Sequence, residues 1–202
     1  CPPVPRLQEC AILMKVERKL AGVMRSRAFA APVFPGKDGF DAAVGLHLAG
    51  NLDAALAAYD DVIARWPAYA EAHHNAGVIR AQRGQPDHAI AHLRHAISQR
   101  PNYAEAHHSL GLTLYLAGSL REAIPSFRRA VELSAGSLEW WTDLAMALTA
   151  EGFLADGLAA NNRALALAPD NAQARANLAV PLRGLQRLQE AIEACRASLA
   201  VR

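Results

Sequence analysis

From Gly36 onward, apolar residues recur at spacings of three and four, the signature of one buried face on an α-helix. Gly or Pro cuts these runs at regular intervals. The segment NYAEAHHSLG at 102–111 echoes AYAEAHHNAG at 68–77, 34 residues earlier. A fixed period of this size predicts stacked helical hairpins, each burying its apolar face on its neighbours. The register gives five repeats, at 36–69, 70–103, 104–137, 138–171 and 172–202, beginning at Gly36, Ala70, Ala104, Leu138 and Ala172.

Within that register the small residues fall in phase. Position 8 reads Ala43, Gly77, Gly111, Ala145 and Ala179, and position 20 reads Ala55, Ala89, Ala123, Gly157 and Ala191. Position 27 reads Val62, Ala96, Ala130, Ala164 and Ser198. Position 8 on the first helix is expected to face position 20 on the second, where only a small side chain lets two backbones approach. Larger residues fill the remaining space: Leu46, Leu114, Leu148 and Leu182 at position 11, and Tyr59, Leu93 and Phe127 at position 24.

The punctuation agrees. Gly50, Gly84, Gly118 and Gly152 stand at position 15, where a first helix ends in a left-handed residue. Pro67, Pro101 and Pro169 at position 32 end second helices. Pro86 suits a first helical residue, and Ser119 with Glu122 reads as a capping box. Repeat five carries Gln186 at the turn, and Asn161 and Cys195 replace the large apolar residue of position 24. Pro125 and Pro181 fall inside predicted helices, and a kink with local irregularity is expected at both.

Trp141, Leu110-Gly111, Ala123, Ala130 and Pro101 stand where the tetratricopeptide repeat has its aromatic residue, its Leu-Gly pair, its two alanines and its proline. The chain thus resembles that family over 36–202. The resemblance implies an all-α fold, a right-handed superhelical solenoid of antiparallel helix pairs, whose first helices line a concave groove. Groove-facing residues are implied at position 6, which reads Asp41, Asn75, Ser109, Asp143 and Asn177, and at position 5, which adds His74, His108 and Thr142. Glu71, Glu105 and Glu139 follow at position 2, and Tyr115 at position 12. The position-6 row is similar to the asparagine ladder of O-linked N-acetylglucosamine transferases, whose amides bond an extended peptide. An amide side chain offers a donor and an acceptor together, which matches one peptide unit. The acidic row favours a partner bearing Lys or Arg. Positions 5 and 9 lack the Lys and Asn clamp with which chaperone-binding members grip a C-terminal carboxylate.

Charge narrows the partners. Residues 1–35 hold six basic and two acidic side chains, so with a net charge of +2 overall the repeats carry −2. A weakly acidic array lacks the basic stripe that nucleic acid requires. Cys1, Cys10 and Cys195 show no metal-ligand spacing and suit a reducing, cytoplasmic setting. The doublets His73-His74 and His107-His108 stand one repeat apart, too far for shared ligation, and His73 and His107 occupy the aromatic position. His88, His92 and His95 read as a solvated outer face. No phosphate loop, nucleophile elbow or zincin motif is present, so neither an enzyme nor a cofactor is expected.

Leu7–Phe29 reads as an amphipathic helix with Ile12, Val16, Leu20 and Val23 on one face. Capping of repeat one, loose docking and membrane-surface binding all fit it. No apolar run is long enough to span a bilayer. The chain opens on Cys, which leaves a fragment, or a start at Met14, as the readings. Leu178, Leu182, Ile192 and Leu199 are expected to lie uncovered after repeat five, so that the protein continues or associates with itself there. The reading that unites these features is a scaffold gripping an extended or helical peptide in its groove. The alternative is the docking region of a larger glycosyl-, sulfo- or methyltransferase.

Overall fold

A computed structural model describes residues 36–200, and the Leu7–Phe29 helix, Met14, Cys1 and Cys10 lie outside them. The chain divides into two compact units, one ending at Gln99 and the other beginning at Arg100.

The described part of the first unit is two hairpins. Helix α1 (Lys37–Leu48) pairs with α2 (Leu52–Arg65), and α3 (Ala70–Gln82) with α4 (Pro86–Gln99). One core cluster joins Ala43, Ala55, Leu56, Tyr59, Val62, Ala72, Ala76 and Ile79, and Ala89, Leu93 and Ala96 of α4 are buried as well. The second unit opens with α5 (Ala104–Leu116) against α6 (Leu120–Leu133), then α7 (Leu138–Ala150) against α8 (Leu154–Leu167). Two short helices, α9 (Ala172–Asn177) and α10 (Ala179–Gly184), then pack on α11 (Leu188–Ala200).

Close approach explains the small residues. A Cβ on Gly111 would sit 2.7 Å from the Phe127 ring, and one on Gly77 2.9 Å from Leu93. The turn glycines Gly50, Gly84, Gly118 and Gly152 take φ between +69° and +86°. Gln186 fills that place in repeat five at φ 62° and bears the strain of a side chain there. Asn51, Ser137 and Asn171 cap their helices through side-chain oxygens. Ser119 makes no such bond, so the expected capping box does not form on its side.

The two internal prolines behave differently. Pro125 lies within α6, which runs unbroken from Leu120 to Leu133. Pro181 does break its helix. It has no N–H for the Asn177 carbonyl four residues back, and the helix parts at Leu178 into α9 and α10.

One bond recurs through both units. The position-4 side chain donates an N–H to the carbonyl at position 32 of the repeat before, six residues earlier. His73 Nε2 lies 3.0 Å from Pro67 O, and His107 Nε2 3.0 Å from Pro101 O. Trp141 Nε1 reaches Ala135 O at 2.9 Å, and Arg175 Nε reaches Pro169 O at 3.0 Å. Three kinds of side chain thus close the same loop, because each carries an N–H at a similar reach.

Candidate functional site

The residues implied to line the groove divide by depth. Asp41 is exposed and ion-paired with Lys37. Glu71, Glu105, Tyr115, Thr142 and Asn177 are half-buried, and Glu139 is exposed. His74, Asn75, His108, Ser109 and Asp143 are buried. Spacing puts all of them on first helices but says nothing of how deep each lies.

Each buried polar group is held by neighbours. Asn75 is 7% exposed, and its Nδ2 donates to the Tyr59 hydroxyl at 3.1 Å, while His74 Nδ1 lies 3.2 Å from its Oδ1. Burial pushes the Tyr59 phenol well above its usual range, against the opposing pull of Asn75. Ser109 is fully buried, and its carbonyl accepts from Thr113 Oγ1 at 2.8 Å.

In the second unit His108 is 1% exposed. Its ring stacks on Trp140 with centroids 4.9 Å apart, and its Nε2 donates to Asp143 Oδ2 at 3.0 Å. His108 Nδ1 has no hydrogen-bond partner among the described residues. Burial, followed by the Asp143 charge, raises the Tyr115 phenol. The Thr142 hydroxyl is taken up by Leu138 O at 2.8 Å.

A histidine cluster on the first unit departs from the sequence reading. His92 and His95 are half-buried against His73 rather than on an open face. His95 Nε2 shares the Pro67 carbonyl with His73 at 3.0 Å. A carbonyl only accepts, so both Nε2 atoms carry protons. Neutral His73 then presents its Nδ1 lone pair to Nδ1–H of His92, 3.2 Å away. Burial, then the Arg80 charge, lowers His92 to about 4; burial chiefly lowers His73. Arg80 itself grips Asp60 with both carboxylate oxygens within 3.1 Å. No group of three or more candidate metal ligands lies together among the described residues.

At the other end, Leu182 is buried with Ala191 and Ala194, and Leu178 and Leu158 pack on it. The expectation that Leu182 lies uncovered is therefore corrected. Ile192 and Leu199 are exposed, as is Cys195. No described helix is long and apolar enough to cross a membrane.

Hairpins in a 34-residue register, with small residues at the crossings, define a helical-repeat protein. Three tetratricopeptide family models match the sequence, at 77–118, 104–136 and 142–200. The chain belongs to the tetratricopeptide-repeat family. Solved structures share the fold. One titled as YrrB, "a TPR protein with an unusual peptide-binding site", is 22% identical, covering 95% of this chain and 92% of its own, with a TM-score of 0.76. MamA is 21% identical over 78% of this chain and 92% of its own, with a TM-score of 0.73. MamA 41-end from Desulfovibrio magneticus RS-1 is 18% identical over 85% and 97%, with a TM-score of 0.76. No curated protein matches the sequence.

Proposed function

We propose that this chain is an interaction scaffold that binds an extended or helical segment of another polypeptide along its first helices. The observation that carries the reading is the half-buried, polar edge of those helices in the second unit: Glu105 at position 2, Thr142 at position 5, Asn177 at position 6 and Tyr115 at position 12. Such residues have lost part of their hydration already. Glu105 and Glu139, both at position 2 in the second unit, favour a basic segment, chiefly through encounter rate and orientation. The peptide-binding site named for the YrrB structure supports the same reading.

Selection from a displayed library of unstructured peptides tests it, with fluorescence anisotropy on the enriched sequences. Enrichment of Lys- and Arg-bearing peptides is expected. Their affinity should fall at least tenfold in Glu105→Lys with Tyr115→Ala. No enrichment, or equal binding by the double variant, overturns the proposal.

A further inference from the structure

Repeat five leaves open a face that every repeat before it covers. Leu188, Ile192, Cys195 and Leu199 stand at positions 17, 21, 24 and 28, all on α11, and all four are exposed, Leu199 by 82%. In repeats one to four the same positions are buried or half-buried. Position 24 is closed there altogether, with Tyr59, Leu93, Phe127 and Asn161 each at most 1% exposed. Where a repeat follows within the same unit, its first helix is the cover. Leu56 and Tyr59, at positions 21 and 24, share a core cluster with Ala72, Ala76 and Ile79 of α3. A contiguous apolar face left open on a folded protein marks an association surface.

The spacing of the four residues, in steps of four, three and four, makes a straight seam along α11, the kind that meets a second helix side by side. A second copy has two ways to supply that helix. Stacked head to tail, it would offer α1. Positions 3, 7 and 10 of α1, the places that Ala72, Ala76 and Ile79 fill in α3, hold Asp38, Ala42 and Gly45. That face carries a charge and no large apolar side chain, so it would bury little against the seam. Turned about a two-fold axis, the copy offers α11 itself.

Antiparallel pairing then sets Leu188 against Leu199 of the other copy and Ile192 against its Cys195, and the symmetry makes each layer twice. Cys195 is smaller than the Tyr, Leu or Phe of position 24 in repeats one to three, which leaves room in its layer for Ile192. The same register brings Glu193 of one copy beside Arg196 of the other, again twice, and both side chains are exposed on one flank of the seam. We propose that two copies of this chain pair antiparallel through α11, about an axis that passes between Ile192 and Cys195. One helix per copy is a small interface, so the dimer is reversible. It uses the second unit's last helix and none of the first-helix edge, and so stands apart from the peptide-binding reading.

Sedimentation equilibrium of the 202-residue chain over a concentration series tests it. A monomer–dimer equilibrium is expected. Ile192→Glu, at an exposed position, should raise the dissociation constant at least tenfold while the helical circular dichroism stays unchanged. Arg196→Glu should raise it several-fold, and adding Glu193→Arg should bring it back to the parent's value, because the reversed charges meet again across the antiparallel pair. A chain that stays monomeric throughout the series overturns the proposal. So does a dimer indifferent to Ile192→Glu, or a charge-reversed double variant that does not recover. Growth into long oligomers would assign head-to-tail stacking instead. Loss of the dimer in Leu20→Glu would assign the seam to the segment before the repeats, and either result overturns the α11 pair.

Discussion

The Trp141 indole N–H closes onto the Ala135 carbonyl at 2.9 Å, a bond that His73, His107 and Arg175 make in their own repeats with other chemistry. What position 4 supplies is a donor as well as a flat hydrophobic surface. Trp141→Phe keeps the surface and loses the donor, so it should cost about 0.5–1.5 kcal/mol in urea unfolding. Trp141→His should recover most of that loss. A phenylalanine variant as stable as the parent would reduce the bond to coincidence.

The His108–Asp143 pair is buried on both sides, so removing either partner takes a hydrogen bond from a buried group. Asp143→Ala should cost about 1–3 kcal/mol, and His108→Phe alone a similar amount. The double variant should cost less than the sum of the two, and a double-mutant cycle measures that difference. Additive losses would mean that the contact contributes only packing.

Acid should loosen the first unit before carboxylate titration begins. His92 and His73 bind protons less readily when folded than when unfolded, so the unfolded chain gains protons first as pH falls. Their contribution is complete above the ordinary histidine value of about 6.5 and is lost as pH drops through it toward about 4. The groups facing His92 set the sign: Arg80, His73 and His95 oppose its charge, and Asp60, already held by Arg80, only partly favours it. His92→Gln should flatten the pH dependence of the denaturation midpoint between about pH 6.5 and 4. An unchanged slope counts against the network.

Gln186 occupies the one turn of its kind where a side chain takes positive φ among the described residues. Gln186→Gly should stabilise the chain by about 1 kcal/mol, because a left-handed residue with a side chain costs roughly 1–2 kcal/mol. Calorimetry decides it, and a lower melting temperature would show that the Gln side chain compensates.

Much of this fold is legible in the sequence because its causes are local. A glycine at position 15 reports a left-handed turn, and Gly111 reports a ring lying on it, without knowledge of the rest. Depth is different. Spacing places Asn75 and Ser109 on the same row as Asp41, yet Asp41 is exposed and the others are not, since exposure depends on what packs across from each. The prolines make the same point. Pro125 and Pro181 break one rule, but only the second parts its helix. The sixteen-residue spacing of Tyr59 and Asn75 stands in the sequence. Its meaning needed the bond itself, which no periodicity displays.

The interruption at Leu178 also bears on how the molecule breathes. Helices of six residues hold few internal bonds, and segments under about 12–15 residues are marginal without tertiary support. Backbone amides of α9 and α10 should therefore exchange with deuterium well ahead of those of α5 and α7. Repeat five, with its first helix in two pieces, is where the second unit begins to come apart under strain, and where a partner that bridges the break would do most to hold it closed.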